Sequence, residues 1–314
     1  MLALLLTNLV LSTWVASVPS WIDDRDVTSL EPHYLIIQSS SVTVPEDDAA
    51  QDAATKKMMR FELQLRTFAL QPAETDDAAD GEKPRLLQTP LGWPGTIDWL
   101  YVRTPDVQEN RSEVTPVEEH PDVVAFVLEP AIAVIAGVDV PATFTRVDAV
   151  VLREHLRAHG GIPHNDAATA LLTTDGEIAL EIVRSLKGAH ASAERPPGLP
   201  VQGVITNRAG QRGEIRPLID PTAITAGSEL LFEVVFDPLP SDGVWLRAVH
   251  VESGETVVGQ VQEGGTISML FEQAGLWLLE SCTLEIMPQD EQDRGLRMRM
   301  IVATLTFEIA EREM

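Results

Sequence analysis

Three of the seven histidines in this chain, His155, His159 and His164, fall within ten residues, and Asp166 stands just after. Residues four apart on a helix share one face, so His155 and His159 are spaced to share a metal ion, with His164 or Asp166 completing the shell. Imidazoles suit borderline cations such as nickel, cobalt and zinc, and do not suit calcium. The segment reads His-Leu-Arg-Ala-His and lacks the glutamate that makes such a pair a metalloprotease centre. The competing reading is a solvated helix face with Arg153 and Arg157 beside it. His33 stands early in the chain, before Tyr34, and is a further candidate ligand or a strand-entry residue with a satisfied ring.

The helix that must carry the pair is Asp148–His159, where Val151, Leu152, His155, Leu156 and His159 recur at helical spacing and Gly160-Gly161 stops the run. Around it the chain reads as strands. Leu230, Phe232, Val234 and Phe236 alternate with Glu229, Leu231, Glu233 and Val235, the period of a strand with one face in a core. Asp220-Pro221 and Ala226-Gly227 mark turns before it. Further strands are expected at 33–44, 59–70, 97–102 and 123–128, and then at 201–206, 214–218, 245–251, 256–261, 266–271, 275–286 and 298–309. Residues 178–187 fit either a strand or a helix. Residues 45–57 and 71–84 are acidic, rich in alanine and without periodicity, as surface loops are.

The expectation is therefore a mainly β protein of two β-sandwich-like domains with a short helical segment between them. The N-terminal β-rich domain spans 28–193 and a linker, Glu-Arg-Pro-Pro-Gly-Leu-Pro, spans 194–200. An immunoglobulin-like sandwich spans 201–314. Residues 2–22 carry no charge and contain small residues near Ser17 and Ser20. Residues 1–20 thus read as a signal peptide or an N-terminal anchor, and the chain as secreted, periplasmic or held in the cell envelope. An uncleaved anchor would be its one contact with membrane.

Composition narrows function further. Of the 314 residues, 23 are Lys or Arg and 48 are Asp or Glu, a formal net charge of -25. Such a surface repels phosphate backbones, which excludes nucleic acid as a partner, and it concentrates cations. Cys282 is the only cysteine, so neither an intramolecular disulfide nor a thiolate metal cluster is possible, and its strand context predicts a buried, inert thiol. No Ser-His-Asp order, G-x-S-x-G elbow or phosphate-cradling glycine loop is present, and a non-enzymatic role is expected. Trp93, Trp99, Trp245 and Trp277 suggest either core packing or a sugar-stacking platform.

A set of motifs in order adds a resemblance. Phe144, Leu156 and Gly160 are followed by Arg184 and Lys187, then by Glu214-Ile215-x-Pro217-Leu218-x-Asp220-Pro221 and Gly227. Pro238-Leu239, Gly275-x-Trp277-x-Leu279 and Ala303-Thr304-Leu305-Thr306-Phe307-Glu308 complete it. In these pieces the chain resembles an exported bacterial family of unknown function often labelled nickel-uptake substrate-specific region proteins. The resemblance spans about residues 144–310 and only faintly 31–70. Family members commonly open with His-Asp-x-Trp, where this chain has His33-Tyr34-Leu35-Ile36. They commonly carry a later His near the position of Thr283, and usually a Trp before the last strand, where this chain runs Arg294–Met300. The resemblance implies an envelope accessory or binding protein in nickel or cobalt uptake, with a membrane metal-uptake transporter or another envelope protein as partner. A protein- or glycan-binding surface module and an uncharacterised hydrolase are the competing classes.

Overall fold

The computed structural model describes residues 30, 33–45, 55–71, 85–94, 97–106, 108–111, 115–129, 131–159, 170, 172–173, 175–192, 195, 203–293 and 295–311. The expected signal segment 1–20, His164, Asp166 and nearly all of the linker 194–200 lie outside them. The chain is mainly β. Its first half carries β1 (His33–Pro45), β2 (Thr55–Gln71), β3 (Arg85–Pro90), β4 (Trp99–Arg103), β5 (Gln108–Arg111), β6 (Pro116–Val117), β7 (His120–Leu128), β8 (Ala133–Asp148), helix α1 (Ala149–Ala158) and β9 (Glu177–Ala191). Its second half carries β10 (Gly213–Pro217), β11 (Ser228–Phe236), β12 (Trp245–His250), β13 (Thr256–Gln260), β14 (Thr266–Phe271), β15 (Gly275–Ile286) and β16 (Met298–Ile309).

The strands form three sheets. The largest has eight strands in the order β13-β12-β15-β16-β9-β8-β4-β5. A three-stranded sheet, β10-β11-β14, covers part of one face. A five-stranded sheet, β1-β2-β7-β6 with β3 also on β2, covers part of the other. Alternation assigns the two faces. Odd residues of β16, from Ile301 to Ile309, join Phe232, Phe236, Phe271 and Trp277 in the core under the three-stranded sheet. Even residues Met298, Met300 and Val302 pack beneath α1 with Leu152, Leu156 and Cys282.

The C-terminal strands thus lie in two sheets that share one core. The expected boundary at 194–200 does not interrupt hydrogen bonding, however. β16 runs parallel to β9, from Met298↔Leu180 to Thr306↔Gly188, so one sheet takes four strands from each half of the chain. Residues 178–187, ambiguous in sequence, lie in β9, whose consecutive burial on both faces hides the period of two. Residues 203–206, read as part of a strand, form turns instead, because they connect the halves and pair with no strand.

α1 matches its expected span. Asp148 caps it by accepting from the Val150 amide at 2.7 Å, and Ala149, Leu152 and Leu156 form its buried stripe. A bulge between Val140 and Thr143 in β8 switches which residues face α1, so Val147 lands in the core below it. β1 lies against β9 and β16. Thr304 Oγ1 donates to the His33 carbonyl at 3.0 Å, and Thr306 Oγ1 donates to that of Leu35. Among the described residues, no helix is long and apolar enough to cross a membrane.

Candidate functional site

The C-terminal end of α1 and the start of β1 meet over one charged side chain of the large sheet. On β15, Leu278 and Cys282 sit in two separate apolar clusters, and Glu280 lies between them on the same face. Its carboxylate is 2% exposed. A buried carboxylate needs partners, and three converge on its Oε2 atom. The Tyr34 hydroxyl donates to it at 3.2 Å, His159 Nδ1 lies 3.0 Å away, and Arg247 Nη1 lies 3.9 Å away. Arg247 comes from β12, where it is the register partner of Glu280.

Burial pushes the Glu280 carboxyl up, but His159, Arg247 and His155 outweigh burial and hold it below the usual carboxylate range. Glu280 is therefore an ionised acceptor, and it assigns the proton on His159 to Nδ1. Arg247 Nη1 also stands 3.3 Å from that Nδ1 atom. With Nδ1 protonated the two do not bond, and both direct donors at Glu280. In the neutral ring, Nε2 is then the nitrogen with the lone pair.

The His155 ring stacks on His159, with centroids 4.2 Å apart and planes at 27°. Burial, and next the neighbouring His159, lower its pKa to about 4, so the His155 imidazole is neutral at physiological pH. Its other surroundings are Arg184 and Arg247, which lower it further, and Glu280, which raises it. Arg184 sits on β9, is 3% exposed and donates to Thr143 Oγ1 at 2.9 Å.

The structure thus brings His155 and His159 together, as their spacing predicts. His33, at the head of β1, is joined to neither by a direct contact, although it feels the charge of Arg184 as His155 does. Burial first and Arg184 second lower its pKa to about 3. Among the described residues, no three His, Cys, Asp or Glu side chains converge to hold a metal ion. The structure shows two stacked imidazoles, one of them on a buried carboxylate. Any further ligand must come from residues such as His164 and Asp166, which lie outside the described residues, or from a partner. His155 and His159 are half-buried, with the His159 ring on Glu280 and the His155 ring stacked on His159.

Sequence reasoning did not pick out Glu280, Tyr34 or Arg247. One signal was available, a glutamate at the apolar phase of the strand Gly275–Ile286. Among the described residues the tryptophans do not form an exposed row, since Trp277 is fully buried and Trp93 is 7% exposed. Cys282 is buried and its thiol is pushed well above its usual range by burial, as expected of an inert cysteine. No family model, curated protein or solved structure matches this chain.

Proposed function

We propose that this is an exported, non-enzymatic protein of the cell envelope that binds a borderline transition-metal cation, nickel, cobalt or zinc, through His155 and His159. The observation that carries the reading is the Glu280–His159 pair. Metal-ligating histidines commonly donate the second ring N–H to a carboxylate, which fixes the tautomer, orients the ring and raises the basicity of the other nitrogen. His159 has that arrangement at 3.0 Å, and the neighbouring ring is held neutral.

Two imidazoles alone make a weak site. Weak, incomplete coordination suits a protein that takes a cation from solution and hands it to a membrane uptake transporter or another envelope protein. The net charge of -25 favours cation encounter over the whole surface. The neighbouring Arg184 and Arg247 oppose a cation, so the ion must approach from the Nε2 side of His159, away from Glu280.

Cobalt(II) titration followed by visible absorbance tests the proposal. The wild-type chain should develop ligand-field bands that a His155→Ala/His159→Ala chain lacks. Equal spectra from the two proteins would contradict it.

A further inference from the structure

The opposite face of the large sheet holds a second buried charged pair, unconnected with the histidines. Lys187 on β9 is 1% exposed and Glu214 on β10 is 2% exposed, and Lys187 Nζ contacts Glu214 Oε1. The two belong to facing sheets. The Glu214 carboxylate also accepts from backbone amides: Ala209 N–H at 2.9 Å to Oε1 and 3.1 Å to Oε2, and Gly210 N–H at 3.2 Å to Oε2.

More polar groups surround the pair. Gly137 is the register partner of both Lys187 and Tyr101. The Tyr101 ring fills the space over Gly137, where a Cβ would stand 2.2 Å from its Cε1 atom. The Tyr101 hydroxyl and Gln211 Oε1 are buried and find no partner among the described residues. Gln211 Nε2 donates to Asp139 Oδ1 at 3.2 Å, and burial raises the Asp139 carboxyl above its ordinary value.

We propose that Lys187 and Glu214 condense into an intramolecular amide, a covalent staple between β9 and β10 that joins the two halves of the chain. A chain with a single cysteine cannot make an intramolecular disulfide for this purpose.

The chemistry balances without an oxidant or cofactor. A buried ammonium–carboxylate pair is costly to desolvate, and transfer of a proton from Nζ to the carboxylate leaves a neutral amine against a carboxylic acid. The Nζ lone pair attacks Cδ, and the carbonyl π electrons move to oxygen. The Ala209 and Gly210 amides stabilise that oxyanion. The second Nζ proton passes to the hydroxyl within the tetrahedral adduct. The C–O bond breaks, water leaves, and the Nζ–Cδ amide remains. The unpartnered Tyr101 hydroxyl and Gln211 oxygen offer hydrogen bonds to the departing water. Contact enforced by the fold supplies the high effective concentration that this condensation needs.

Intact-mass spectrometry of the purified full chain, denatured, tests the proposal, with its N-terminus sequenced to fix the expected mass. The wild-type chain should be lighter than its sequence by one water. Trypsin should fail to cut after Lys187, and one linked peptide should contain Lys187 and Glu214. Glu214→Ala and Lys187→Arg chains should show their full sequence masses. A wild-type chain at full mass, cut after Lys187, overturns the proposal whether or not the variants fold.

Discussion

His159 Nδ1 lies 3.0 Å from Oε2 of Glu280, although 121 positions separate the two in sequence. The contact joins a helix end to the middle of a sheet and sets Nδ1 of the histidine on the carboxylate. Replacing Glu280 by Gln keeps the volume but removes the charge that holds the Nδ1 proton. Metal affinity should fall by about 10–100-fold, the usual effect of losing a carboxylate behind a ligating histidine. Equilibrium dialysis with nickel measures it, and an unchanged affinity would mean that the carboxylate does not orient the ring.

Acid should weaken the fold through the buried imidazoles. His33 and His155 have pKa values lowered by burial to about 3 and about 4, and that of His190 is also lowered by burial. Their unfolded values lie near 6.5, so between about pH 6.5 and 4 the unfolded chain binds more protons than the folded one. Stability present above pH 6.5 is therefore lost progressively through that window as pH falls. The lowered Glu280 carboxyl acts in the same direction at lower pH. Urea midpoints should decline across the window, and less steeply in a His33→Asn/His155→Asn chain. Identical slopes in the two proteins would contradict this.

Gly188 is required where β1 crosses β9. A Cβ at this position would lie 2.7 Å from the backbone oxygen of Leu35 and 3.0 Å from Ile37 Cγ1. Backbone cannot swing aside as a side chain can, so Gly188→Ala should cost about 1–3 kcal/mol through overpacking. Denaturant unfolding measures it, and a loss below about 0.5 kcal/mol would mean that β1 is not seated as described.

The core between the facing C-terminal layers should be sensitive to truncation. Phe232 and Trp277 are fully buried and meet through Phe271, whose ring lies edge-on to each, with centroid distances of 5.9 and 4.8 Å. Replacing either by Ala should cost about 3–5 kcal/mol. A loss below about 1 kcal/mol in urea unfolding would mean that the site collapses to fill the cavity or is packed differently.

Local features were readable in the sequence where a single period dominates. Val151, Leu152, His155 and Leu156 define α1, and Leu230, Phe232, Val234 and Phe236 define the buried face of β11. Long-range pairing was not readable. β9 lies parallel to β16 across more than a hundred residues, and its nearly continuous burial leaves no alternation to show this. The histidine pair was legible because helical spacing alone brings it together. Its support was not, because Tyr34, Arg247 and Glu280 come from three strands and meet only when β1 and α1 are laid on the sheet. Lys187 and Glu214 were not paired by the sequence, because their meeting depends on the stacking of two sheets.

Isothermal titration of nickel, cobalt and zinc into untagged protein, wild type against His155→Ala/His159→Ala, tests the central claim most directly. The account predicts saturable binding of these cations to the wild type, none to the double variant, and no calcium binding at this site. Equal heats from both proteins, or no binding to either, would contradict it.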